Sequence, residues 1–76
     1  MSQSKLPRNV FVVRYRPDKR KKSVVFGTYD KLKFALHTMP IIMDWYDADS
    51  FDINYIDSAG NSIMVFYWDS STYGNK

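Results

Sequence analysis

The sequence lacks cysteine and glutamate altogether and contains one histidine and three glycines. Without cysteine the chain forms no disulfide, no thiolate zinc site and no cysteine nucleophile. The glycines are scattered, so there is no Gly-rich phosphate-binding loop. His37 falls on the polar side of a predicted helix, where a lone histidine is typically solvated, and no GxSxG elbow accompanies it. We therefore expect a protein that is not an enzyme and uses no cofactor.

Long apolar runs are also missing. No stretch approaches the roughly 20 residues that a helix needs to cross a membrane. The first nine residues, MSQSKLPRN, lack the apolar core of a signal peptide. The expectation is a protein without membrane contact that works in the cytoplasm, or in the host cytoplasm if a phage or mobile element encodes it.

The net charge of +3 conceals an asymmetry. Residues 1–33 hold ten of the eleven Lys and Arg residues and only two of the eight Asp residues. Residues 34–76 hold the other six Asp residues and a single Lys. We therefore expect a molecule with a basic pole and an acidic pole.

Apolar periodicity predicts a single α+β domain over residues 1–76, with the order β-β-α-β-β. The simplest architecture is a four-stranded antiparallel sheet with one helix packed on one face. Residues 1–9 are a predicted flexible lead-in, and residues 69–76 a flexible tail. The predicted strands cover residues 10–16, 23–28, 51–56 and 62–68.

The helix is predicted to start after Thr28 as N-cap and to end near Thr38, because Pro40 breaks helices; alternatively, Pro40 opens a second short turn over residues 40–46. The last strand alternates two apolar sets and is expected to be central in the sheet. The sets are Met64, Phe66 and Trp68 on one face and Ile63, Val65 and Tyr67 on the other.

The first predicted hairpin carries most of the positive charge near its tip. Lys and Arg contacts to phosphates release counterions and supply affinity that does not depend on base sequence, so this cluster indicates a nucleic-acid or polyanion contact. Two other interpretations are a solvated, charged tip and docking onto an acidic protein. The six cations are Arg14, Arg16, Lys19, Arg20, Lys21 and Lys22.

A local resemblance accompanies this cluster. The run VRYRPDKRKKSVVFGTYDKLKFAL places Arg14-Tyr15-Arg16 before a charged turn and Phe26-Gly27-Thr28 before a helix with Ala35. It resembles the hairpin-to-helix part of the arm-type DNA-binding domains at the N-termini of tyrosine recombinases. The resemblance implies a small sheet placed in the major groove. It covers about a third of the chain, and the aromatic-rich second hairpin has no counterpart in it.

The acidic half offers Asp44, Asp47, Asp49 and Asp52 in one cluster. Clustered carboxylates can bind hard cations, but this spacing has neither the central Gly nor the closing Glu of an EF-hand loop. An acidic connecting loop with turn-forming Asp is the favoured interpretation, and no metal site is expected.

Aromatic residues are interleaved with this acid. About half are expected in the core, and exposed Trp and Tyr are typical interface anchors. An acidic rim would attract a basic partner, including a protein that itself binds nucleic acid. The candidate protein-interface residues are Phe34, Trp45, Tyr46, Asp47, Asp49, Tyr67 and Trp68.

These patterns favour a small accessory or regulatory protein that acts on nucleic acid, or on a nucleic-acid-handling complex, through its basic hairpin. The alternative is an inhibitor or adaptor that occludes a partner protein with its aromatic and acidic surface. A domain with one basic and one acidic end can also associate head to tail with a second copy of itself.

Overall fold

The computed structural model describes residues 8–70 and contains four strands and one helix. Their order, β-β-α-β-β, and the single four-stranded antiparallel sheet confirm the predicted α+β fold. Most of the predicted lead-in and tail, residues 1–7 and 71–76, lies outside the described residues. The elements are β1 (Val10–Arg16), β2 (Val24–Tyr29), α1 (Leu32–Trp45), β3 (Ser50–Ile56) and β4 (Ser62–Asp69).

The strand order in the sheet is β2-β1-β3-β4. The central strands are therefore β1 and β3, and the prediction of a central β4 was wrong. Ile63, Met64 and Val65 of β4 are each more than two-fifths exposed. In contrast, the first five residues of β3, from Ser50 to Asn54, are buried although Asp52 and Asn54 are polar. Apolar residues on both faces therefore do not show that a strand is buried; burial depends on whether the strand has a neighbouring strand on each side.

The core lies between α1 and one face of the sheet, which we call the helix face. Val13 of β1 pairs with Ile53 of β3, and side chains of paired residues lie on the same face. Both are fully buried, as are Ala35 and Ile42 of α1. Phe11 and Tyr15 pack against this cluster, as the predicted apolar face of β1 requires. The opposite side, called the open face, has no helix over it within residues 8–70.

The alternation predicted for β4 is interrupted by a β-bulge. Ile53 pairs with Phe66, but the next residue, Asn54, pairs with Met64, which leaves Val65 as the extra residue. Phe66 therefore lies on the helix face and Met64 on the open face, so the prediction that these two share a face was wrong. Because a bulge adds one residue, everything beyond it changes face relative to a regular strand.

The helix differs from its prediction at both ends. It starts at Leu32, and its N-cap, Lys31, makes no side-chain capping hydrogen bond. Thr28, the predicted N-cap, belongs to β2 and pairs with Val12. The helix also continues through Pro40 to Trp45 as one segment, without the predicted end near Thr38. An internal proline costs about 3 kcal/mol, and burial on both sides of it offsets that cost.

That burial involves Ala35 and Thr38 before the proline and Ile42 after it, all packed towards the sheet. Pro40 itself is exposed. No helix within residues 8–70 combines the length and apolar character needed to cross a bilayer.

Replacing Pro40 with Ala is expected to raise the free energy of unfolding by about 1–2 kcal/mol, because the helix recovers one backbone donor while the unfolded chain gains some freedom. Urea unfolding followed by circular dichroism measures the change. The control is His37→Ala at an exposed position of the same helix, with an expected change below about 0.5 kcal/mol. A loss of stability in Pro40→Ala would show that the chain needs the proline to orient two helical segments.

Candidate binding surfaces

Residues 17–23 form the loop that connects β1 with β2, and Asp18 organises it. The backbone N–H of Arg20 donates to Asp18 Oδ1 at 3.0 Å, and the N–H of Lys21 donates to the Asp18 carbonyl at 2.9 Å. These bonds define a tight turn, and the hydrogen bonds that the Asp18 carboxylate accepts, first from the backbone N–H of Arg20 and then from its side chain, lower the pKa of Asp18. Asp18 therefore orders the turn over residues 18–21.

Four consecutive cations follow Asp18, and we call Lys19, Arg20, Lys21 and Lys22 the tip cluster. All four are exposed. The Arg20 guanidinium lies 3.5 Å from the Asp18 carboxylate, but its side chain is 87% exposed, so this ion pair contributes little. The tip cluster thus presents four positive charges to solvent with one carboxylate beside them.

The other two predicted contact residues, Arg14 and Arg16, lie on the open face and not at the tip. Arg14 donates from Nε to Asp52 Oδ1 at 3.0 Å and from Nη2 to Asp52 Oδ2 at 3.4 Å. Asn54 Nδ2 donates to the same Asp52 Oδ1 at 2.7 Å. Asp52 is only 4% exposed, so its carboxylate is buried between the side chains of Arg14 and Asn54.

Arg16, two residues further along β1, has an equivalent partner in Asp49, the residue just before β3. Its Nη2 donates to Asp49 Oδ2 at 2.8 Å, and Ser70 Oγ donates to Asp49 Oδ1 at 2.9 Å. Together with the Arg14 pair, this bond joins the basic and acidic parts of the sequence. The expectation of two separate charged poles therefore does not hold for Arg14 and Arg16, because the pairing of β1 with β3 brings Arg14 opposite Asp52 and Arg16 next to Asp49.

The predicted acidic cluster is dispersed by the same arrangement. Asp44 and Asp47 are exposed, whereas Asp49 and Asp52 belong to the two ion pairs. Asp47 has a positive φ of 50°, which Asp tolerates better than most residues, and it marks the turn after α1. Within residues 8–70, no group of three or more His, Cys, Asp or Glu side chains could hold a metal ion.

The predicted interface aromatics are divided between two regions. Trp45 is 79% exposed at the end of α1, and Phe34 is exposed about three turns earlier. Tyr46 stacks on Tyr15 with ring centroids 5.1 Å apart, so its exposed ring is held in place from one side.

Tyr67 and Trp68 lie elsewhere, on β4. Tyr67 is exposed on the open face, and its hydroxyl donates to Asp69 Oδ2 at 2.6 Å, which raises the pKa of Tyr67. Trp68 faces the other way and packs against the core cluster, so it contributes mainly to the core.

One apolar residue of the helix was not singled out from the sequence. Ile41 is exposed and lies seven residues after Phe34 and four before Trp45. Residues at these spacings share one side of a helix. We call Phe34, Ile41 and Trp45 the helix stripe. The spacing was available in the sequence, but the predicted helix ended before Pro40 and so excluded the last two members.

Comparisons of the chain with protein-family models, with curated proteins and with solved structures give no match. The resemblance to arm-type domains therefore stays a prediction.

The Asp49 carboxylate gives a pH-dependent prediction. Hydrogen bonds from Arg16 and then Ser70 lower its pKa below the ordinary value of 3.8. A lowered pKa stabilises the fold above the ordinary value, and this contribution is lost as the pH falls through the lower one. Asp49→Asn should therefore destabilise the protein at neutral pH, and the difference from wild type should narrow below about pH 4.

Urea unfolding of both proteins at several pH values between neutral and about pH 3 measures this difference. Asp44→Asn is the control, because the exposed Asp44 carboxylate has no hydrogen-bond partner among residues 8–70; its effect on the free energy of unfolding should be small. An Asp49→Asn deficit that is equally large at every pH would contradict a role for the ionised carboxylate.

Proposed function

We propose that this protein is a non-enzymatic binding protein whose tip cluster docks on a polyanion, with nucleic acid as the first candidate. The observation that carries the proposal is the exposure of four consecutive cations on a turn that is ordered by Asp18. An ordered turn holds these side chains close together before binding, so less backbone entropy is lost on contact with phosphates. An accessory or regulatory role on a nucleic-acid-handling complex follows the same interpretation.

The two arginines of β1 have a different part in this proposal. Arg14 and Arg16 each already donate to an aspartate, and breaking those bonds would leave a carboxylate without its partner. They are better placed to hold β1 against β3, so that the tip projects from a fixed base. The phosphate contacts are then limited to the tip cluster.

Four cations on one turn set the size of the expected effect. Each phosphate contact on duplex DNA contributes roughly −0.9 to the slope of log K against log salt concentration. Binding through the tip cluster should therefore give a slope of about −2 to −4. Such binding is modest and independent of base sequence, as suits an accessory protein that other contacts bring to its site.

Fluorescence anisotropy with labelled duplex DNA, single-stranded DNA and RNA over a range of salt tests the proposal. Lys21→Ala/Lys22→Ala should weaken binding at least tenfold at low salt and reduce the slope by about 2, because roughly two contacts are lost. The matched control is Lys31→Ala/Lys33→Ala, which removes the same charge from two exposed positions at the start of α1. Absent binding, salt-independent binding or equal loss in both variants would contradict the proposal.

The second candidate function is an inhibitor or adaptor that covers a partner protein with the helix stripe. The specific observation is the 79% exposure of Trp45, since tryptophan is among the residues that most often dominate interface energies. Asp44 and Asp47 flank Trp45 and are exposed, so they supply an acidic rim. The partner expected from this rim is basic, as proteins that bind nucleic acid are.

Capture of host proteins on the immobilised full chain, with and without nuclease, separates the two functions. A partner that is retained after nuclease treatment and lost with Trp45→Ala supports the inhibitor or adaptor. Val25→Ala is the control, because Val25 is an exposed apolar residue on the open face, paired with Arg14. Loss of all captured protein on nuclease treatment would leave the polyanion contact as the only supported function.

A further inference from the structure

The outer edge of β4 has few of the features that normally prevent strands from pairing between molecules. Exposed edge strands are protected by lysines, prolines, bulges that twist the edge away or short length. β4 has one of these features, the bulge at Val65, but it is eight residues long, contains no proline, lysine or arginine, and has its one charged residue, Asp69, at the end. Within residues 8–70, no strand pairs with its outer edge. The other edge strand, β2, contains a glycine and leads from the charged tip cluster.

The backbone groups that point out of this edge can be identified from the bonds at its two ends. Asp57 N–H donates to the Asn61 carbonyl, and Ser70 N–H donates to the Asp49 carbonyl, so Asn61 and Ser70 point towards the β3 side. Successive residues of an antiparallel strand alternate in direction. Counting inward from each end, the residues whose N–H and C=O groups point outward are Ser62, Met64, Tyr67 and Asp69.

The bulge at Val65 gives this edge an internal symmetry. The pairing with β3 places the same four residues on the open face, and Ile63 and Trp68 on the helix face. The pattern is therefore the same on either side of the point between Val65 and Phe66: side chains alternate between the two faces, and backbone groups alternate between inward and outward, in the same order in both directions. In a strand without the extra residue, Met64 and Tyr67 would lie on opposite faces, and so would Ser62 and Asp69.

We propose that β4 pairs antiparallel with β4 of a second copy of this chain, about a two-fold axis between Val65 and Phe66. The pairing joins two sheets into one of eight strands with both helices on the same face. Met64 of each copy lies opposite Tyr67 of the other, and Ser62 lies opposite Asp69. The outward-pointing N–H and C=O groups of Met64 and Tyr67 then bond to each other across the axis.

A second copy fits this edge better than an unrelated extended peptide does. The charged carboxylate of Asp69 faces the Ser62 hydroxyl of the other copy, which can donate to it, and no like charges are opposed. Apolar Met64 meets the Tyr67 ring, and both are exposed in one copy alone. A peptide of unrelated sequence would match the backbone groups but would have no reason to match the pattern of faces across the bulge.

Sedimentation equilibrium of the full chain over a wide concentration range should show a monomer–dimer equilibrium. Met64→Lys places a charge opposite Tyr67 twice per dimer and should raise the dissociation constant at least tenfold. The matched control is Thr28→Lys, which adds the same charge at an exposed open-face position on the other edge strand, β2. Circular dichroism checks that both variants fold.

Engineered cysteines test the register directly, since the natural chain has none. Met64→Cys mixed with Tyr67→Cys should give a disulfide-linked heterodimer, whereas Met64→Cys alone should not, because its two copies lie three residues out of register and beyond the roughly 7 Å limit between Cα atoms. A monomer at all concentrations would overturn the proposal. So would a dimer that Thr28→Lys disrupts and Met64→Lys does not, or efficient self-linking of Met64→Cys.

Discussion

The pairing of β1 with β3 is the interaction on which the rest of this structure depends. It joins two hairpins that are separated in sequence by a helix, and it is the step that creates the core. On the helix face, Val13 meets Ile53 and both are fully buried. On the open face, the same register places the Arg14 guanidinium against the Asp52 carboxylate. Apolar burial stabilises one face, and a charge-assisted bond with limited solvent access fixes the register on the other.

The same pairing determines which charges are available to a partner. Arg14 and Arg16 are committed to Asp52 and Asp49, so half of the acidic connection and a third of the basic hairpin neutralise each other inside the sheet. The tip cluster lies beyond the end of the β1–β3 ladder and escapes this neutralisation. Its charge is therefore local, close to a single turn, and the phosphate contact that we propose is limited to that turn.

The single helix makes the sheet asymmetric, and the exposed apolar residues follow from that asymmetry. Fourteen residues of helix cover one face of a four-stranded sheet, so α1 contacts β1, β2 and β3, and the outer edge of β4 lies away from it. The helix stripe lies beside the buried side of α1, and the exposed part of β4 lies at the far edge. The tip cluster, the helix stripe and the outer edge of β4 are thus three separate surfaces.

The sequence by itself determined the order of the elements and the bounds of β1, because alternation in short apolar runs and strong turn signals are local properties. It also located the tip cluster and the exposed Trp45. Only the tertiary structure decided that Arg14 and Arg16 are paired, that α1 continues through Pro40, and that β4 lies at the edge with a bulge at Val65. All three features depend on residues that are distant in sequence. The carboxylate that pairs with Arg14 lies thirty-eight residues away. The burial of Ile42 against the sheet outweighs the free-energy cost of Pro40 within the helix.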